Sequence, residues 1–107
     1  MGVFAKLRRI RAFERSRLRF LRTMEDFDVL CEIGLHQEQG RPLTMKELHR
    51  LRLESVPTMQ RRLRRLRQYG AVVSRRTESD ARAVELKIAP RALKLFNRYA
   101  TLLGRRT

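Results

Sequence analysis

Apolar residues at the start of the chain recur every three to four positions: Val3, Leu7, Ile10, Phe13 or Glu14, Leu18 and Leu21. Arginine fills the other side and neither Gly nor Pro intervenes, so the spacing predicts a helix over residues 3–22. Thr23-x-x-Asp26 is a start signal for a second helix over 24–38, with Phe27, Leu30, Cys31, Gly34 and Leu35 as its apolar side. Gln39-Gly40-Arg41-Pro42 then breaks the chain. Thr44-x-x-Glu47 opens a short helix over 45–52, with Leu48 and Leu51 on one face. Ser55 can cap the next helix, and Pro57 fits its first turn, where a missing N–H costs nothing. That helix runs over 55–69, and Gly70 stops it.

The 55–69 segment has the sharpest pattern. Val56, Met59, Leu63 and Leu66 form one stripe. At 100° per residue, Thr58, Arg61, Arg65 and Gln68 fall opposite it, flanked by Arg62 and Arg64. A merely solvated face would carry some Glu among the Arg, yet no acid lies between Ser55 and Gly70. The pattern favours a face turned toward nucleic acid. After Gly70 the period changes from 3.6 to 2: Val72-Val73-Ser74-Arg75 reads as one strand. Ala83 to Ile88 reads as another, with Val84, Leu86 and Ile88 inward. Glu78 to Ala81 is the turn, and Arg75, Arg76 and Arg82 make the tip basic. Pro90 opens a last helix over 90–104, striped by Leu93, Phe96, Tyr99 or Ala100, and Leu103. The expected fold is mainly α with a small β-hairpin. Its arrangement is a winged helix-turn-helix with additional N- and C-terminal helices, in a single domain over 1–107.

Charge sharpens this picture. The 107 residues hold 26 Lys and Arg against 11 Asp and Glu, a net charge of +15. A domain so basic meets a polyanion: nucleic acid first, an anionic membrane surface second. Most of the cations are Arg, which suits bidentate phosphate and guanine contacts, although base composition of the genome also raises Arg. The acids are not spread evenly. Glu25, Asp26, Asp28, Glu32 and Glu38 sit in a stretch, 23–40, that has no Lys or Arg. This block is expected to face away from the polyanion or to pack on basic helices.

Enzyme chemistry is not expected. There is one cysteine, Cys31, and two histidines, His36 and His49, in no metal-ligand spacing, and no phosphate-loop or dinucleotide glycine motif. No cofactor is expected. No apolar run approaches 18 residues, and the basic start, Met1 to Ile10, lacks the apolar stretch of a secretory signal. The expected compartment is the cytoplasm. Cys31, Met24, Met45 and Met59 read as core residues, and the two histidines as surface or boundary residues.

The ordered set Leu43-Thr44-Met45-Lys46-Glu47-Leu48, Ser55 to Leu66, Tyr69-Gly70-Ala71-Val72, Arg75-Arg76 and Asp80-Ala81-Arg82-Ala83 resembles the DNA-binding core of MarR-type transcriptional regulators. The most specific piece is Asp80-x-Arg82, after a strand that follows Leu66-x-x-x-Gly70-x-Val72. The resemblance covers residues 27–103. It departs from the family after the last strand, where Ile88-Ala89-Pro90-Arg91-Ala92 replaces the usual L-T-x-x-G. It implies that Arg82 enters the minor groove with Asp80 holding it, and that Pro57, Thr58, Arg61, Arg62 and Arg65 face the major groove. Phosphate contacts are expected from Arg64, Arg75 and Arg76. The expected protein is a sequence-specific double-stranded DNA-binding regulator, with repression as its sense, acting as a homodimer through residues 3–22 and 91–103. An RNA-binding or ribonucleoprotein accessory role is the alternative, and an adaptor using the acidic block is a third. Whether a small-molecule effector exists is unknown from sequence.

Overall fold

The computed structural model describes residues 2–77 and 83–104. Element order is α1 (Val3–Arg17), α2 (Met24–Glu38), β1 (Leu43–Thr44), α3 (Met45–Arg50), α4 (Val56–Tyr69), β2 (Val72–Arg76), β3 (Val84–Ile88) and α5 (Pro90–Gly104). This is the expected class: helices around a small antiparallel sheet.

Local signals set most boundaries. Thr23 accepts from the Asp26 amide while the Asp26 carboxylate accepts from the Thr23 amide, a full capping box. Thr44 and Glu47 repeat the arrangement at α3. Ser55 caps α4 by accepting from the Thr58 amide. Gly70 ends α4 at φ 92°, a left-handed conformation that a Cβ would strain.

The end of α1 and the number of strands differ from expectation. α1 stops at Arg17 instead of reaching residue 22. Leu18 and Phe20 are both 2% exposed. A straight helix would not bury both against the same core, so the chain turns at Leu18, and the Leu21 amide bonds back to the Leu18 carbonyl at 3.0 Å. The sheet also has a third strand: Leu43–Thr44 pairs with β3 at Leu86 and Glu85, giving the order β1-β3-β2. Two residues are too few to show a period, and only the burial of Leu43 marks them.

The core joins Leu18, Phe20, Val29, Leu30, Ile33, Leu43 and Leu48 to Met59, Leu63, Leu66, Val72, Leu86 and Ile88. Leu86 and Ile88 point inward as the strand alternation predicts, and Val84 is half-buried. The α4 stripe is buried at Met59, Leu63 and Leu66, but Val56, at the helix start, is 47% exposed. α5 lies along α1 through aromatic contacts. Phe13 stacks on Tyr99 with centroids 5.9 Å apart, and Arg98 sits over the Phe13 ring. The Tyr99 hydroxyl donates to Glu14 at 2.6 Å. Burial and the Glu14 carboxylate push this phenol up to about 12, so it stays protonated and keeps the bond across the neutral range.

The N-terminal half of α1 finds no such cover: Val3, Phe4 and Leu7 are exposed. Met24 was expected in the core and is exposed, because it follows the cap at the outer start of α2. Cys31 was also expected inside and is exposed. Partial burial, Asp28 and Glu32 push its thiol up, so it is protonated and a weak nucleophile at neutral pH. His36 and His49 are half-buried, as boundary residues should be, and the His36 ring bonds the Glu32 carbonyl. Among the described residues, no helix is long and apolar enough to cross a membrane and no group of three ligating side chains could hold a metal ion.

Candidate nucleic-acid interface

α3 and α4 form a bihelical unit joined through Leu51 to Ser55, and α4 is the longer, fully cationic member. With Met59, Leu63 and Leu66 buried, the opposite side of α4 faces outward. Pro57, Gln60, Arg61, Arg64, Arg67 and Gln68 are exposed, at the i, i+3, i+4, i+7 spacing of one helical face. Thr58 is half-buried beside the cap. Its hydroxyl receives a bond from the Ser55 hydroxyl at 2.9 Å and another from the Arg61 guanidinium at 3.3 Å, which orients Arg61 along the helix start. Gln60 and Arg67 belong to this face and were missed from sequence. The signal was present, since Pro57, Gln60, Arg64 and Arg67 repeat every three to four residues.

Arg62 and Arg65 sit differently from the expectation that placed them toward the groove. They turn inward along the flank of α4 and meet the N-terminus of α2. Asp26, 0% exposed, receives a guanidinium from each of them on one carboxylate oxygen. Its other oxygen accepts the backbone amides of Arg22, at 2.8 Å, and Thr23. Arg62 also grips Glu54 with two parallel bonds of 2.7 and 2.8 Å and donates to the Thr23 hydroxyl at 3.0 Å. Arg65 donates to the Phe20 carbonyl at 3.2 Å. Two cations thus meet two carboxylates, and the cluster is neutral. Desolvation pushes the Asp26 carboxyl up, but the Arg22 amide and the two guanidiniums outweigh it and hold the group below its ordinary value. The bidentate bond to Glu54 raises the Arg62 guanidinium further against its desolvation. Both arginines are spent on holding α4, which leaves Arg61 as the oriented cation at the helix start.

On the hairpin, Arg75 and Arg76 are exposed on β2. Arg75 stands opposite Glu85 in register, and Arg76 opposite Val84. Arg67 reaches from α4 to the Ser74 hydroxyl at 3.2 Å and ties the two basic surfaces together. Asp80 and Arg82, the expected wing pair, lie outside the described residues. Lys46, Arg50 and Arg52 extend the exposed cationic surface along α3 and the turn after it.

The acidic block splits. Asp26 is internal, as described. Glu25, Asp28 and Glu38 stay exposed on α2, and Glu32 is half-buried there.

No family model matches the chain and no curated protein matches it. Solved structures do match. The Staphylococcus aureus MepR–DNA complex superposes with a TM-score of 0.71 at 17% identity, covering 94% of this chain and 78% of that one. MepR of the same organism bound to ethidium bromide gives 0.64 at 18% identity, covering 96% and 76%. A cysteine-to-serine mutant of Escherichia coli MarR gives 0.62 at 21% identity, covering 98% and 78%. Over nearly its whole length the chain therefore has the winged helix-turn-helix fold shared by the MarR-family regulators MepR and MarR.

Proposed function

We infer that this chain is a sequence-specific double-stranded DNA-binding transcriptional regulator, working as a homodimeric repressor in the cytoplasm, and not an enzyme. The observation that carries this reading is the exposed ridge of α4. It holds three arginines, two glutamines and no acid, on a helix of the size that enters a major groove. The similar MepR structure in complex with DNA supports the same class. Arg61 and Gln60 are the proposed base readers, with Pro57 and Thr58 offering apolar contact at the helix start. Arg64, Arg67, Arg75 and Arg76 are the proposed phosphate contacts. Arg82, held by Asp80, remains the proposed minor-groove contact of the wing.

A competition between duplex DNA and structured RNA tests the class. Preference for RNA would replace this reading with the ribonucleoprotein one. Arg61→Ala tests the reader. It should weaken binding to a selected operator by about 1–3 kcal/mol and relax its base preference, while thermal stability stays unchanged. An equal loss on random duplex would reduce Arg61 to a phosphate contact.

The dimer is proposed from the uncovered residues Val3, Phe4 and Leu7 of α1 and Leu103 of α5. A two-fold dimer would read a pseudo-palindrome with half-sites about one helical turn apart. Sedimentation should show a dimer at micromolar concentration, and Phe4→Asp with Leu7→Asp should shift it to monomer. A wild-type monomer both on and off DNA would end the dimer proposal.

A further inference from the structure

We propose that Asp26 is a positioning residue for recognition: it latches α4 to the Leu18–Thr23 turn and so fixes which face of α4 meets DNA. The proposal rests on the DNA reading for its consequence, though the latch itself is a property of the free protein.

The geometry is specific. One carboxylate serves both sides of the junction. One oxygen holds the turn through the amides of Arg22 and Thr23, and the other holds α4 through Arg62 and Arg65. Two further bonds cross the same junction, from Arg65 to the Phe20 carbonyl and from Arg62 to the Thr23 hydroxyl. Glu54, in the turn before α4, holds Arg62 from the other end. Arg62 and Arg65 stand three residues apart, between the buried stripe and the exposed ridge. Rotating α4 about its axis by one residue, about 100°, would carry both away from Asp26.

Apolar packing alone defines that rotation poorly. Met59, Leu63 and Leu66 could repack with α4 turned through a modest angle, because dispersion contacts are non-directional. Charge-assisted hydrogen bonds to a fully buried acceptor have preferred directions and leave an uncompensated charge if broken. The turn is itself anchored, since Leu18 and Phe20 are buried in the core. It also follows α1, whose uncovered tip is the proposed dimer contact, so the latch links that contact to the pose of α4.

Two variants test it. Asp26→Asn keeps an oxygen that can accept the Arg22 and Thr23 amides, so the start of α2 survives while the ionic link is lost. Arg65→Gln is the milder variant, since Arg62 still pairs with Asp26. Amide exchange on the free protein is the first readout. Both variants should speed exchange at least tenfold in Leu18–Thr23 and α4 together, with β2 and β3 at wild-type rates. Duplex binding is the second. An operator selected from a random pool by the wild type should lose at least tenfold of its preference over scrambled duplex, with scrambled-duplex affinity held in Arg65→Gln and held or raised in Asp26→Asn, where the guanidiniums are freed. Exchange that rises uniformly across the protein, or an unchanged preference in the folded variants, would reduce Asp26 to a stability residue and overturn the proposal. If the wild type selects no duplex at all, the DNA reading fails, and the exchange data still decide whether the latch exists.

Discussion

Raising salt from 50 to 200 mM should weaken duplex binding by about 10³–10⁵, the loss expected when about 6–10 phosphates are neutralised. The count follows from the surface. Lys46, Arg50, Arg52, Arg61, Arg64, Arg67, Arg75 and Arg76 are all exposed on α3, α4, β2 and the turn between the two helices. A dimer would present this set twice, and only part of each set can reach the backbone. Arg62 and Arg65 are left out of the count because Asp26 and Glu54 already neutralise them. The two kinds of arginine should therefore separate in one experiment. Arg64→Ala should lower the slope of log affinity against log salt by about 0.9 per protomer and leave the melting temperature alone. Arg62→Ala should lower the melting temperature, because it strands the Glu54 carboxylate and leaves the fully buried Asp26 with Arg65 as its one guanidinium. A flat salt response would remove the nucleic-acid reading. A shallower slope for Arg62→Ala in the folded protein would mean that this arginine leaves its cluster on binding.

The residues that could be read in advance are those whose partners are close in sequence. Thr23 with Asp26, Thr44 with Glu47, Ser55 with Thr58, and Gly70 all act within one helical turn, so the starts of α2, α3 and α4 and the stop of α4 were legible. The alternation Val84, Leu86, Ile88 was legible for the same reason. What failed depended on distant partners. α1 ends early because Leu18 and Phe20 find a core made by residues far along the chain. β1 exists because β3, some forty residues later, offers Leu43 and Thr44 an edge. The face of α4 was mis-rotated by roughly one residue, since a helical wheel shows where charge lies but not which flank meets α2. Arg61 and Arg64 stayed outward, whereas Arg62 and Arg65 turned in. Asp26 was read as a cap and, as part of the acidic block, as a residue that faces away from the polyanion or packs on basic helices, with no helix or partner specified. Its second role needs α4 to arrive 36 and 39 residues downstream, and no local pattern announces that.

Asp26→Ala is expected to cost about 3–5 kcal/mol of folding stability, the range for removing one partner of a buried ion pair, with lost capping of α2 included in it. Against a total of roughly 5–15 kcal/mol for a domain of this kind, such a loss threatens the fold at ordinary temperature. The figure rests on complete burial, because an exposed pair would give less than about 1 kcal/mol. Acid provides an independent check. The folded-state carboxyl lies below its ordinary value of 3.8, so folding favours the ionised form. The stability this contributes is fully present above the ordinary value and is lost as pH falls through the lowered one. Urea unfolding should therefore give a wild-type stability that declines below about pH 4. In Asp26→Asn, compared at each pH, that decline should be shallower, because the titrating group is gone and only the remaining acids contribute. Equal acid limbs for Asp26→Asn and the wild type would mean that the Asp26 carboxylate is not held ionised by Arg62 and Arg65, and the large penalty for Asp26→Ala would lose its physical basis.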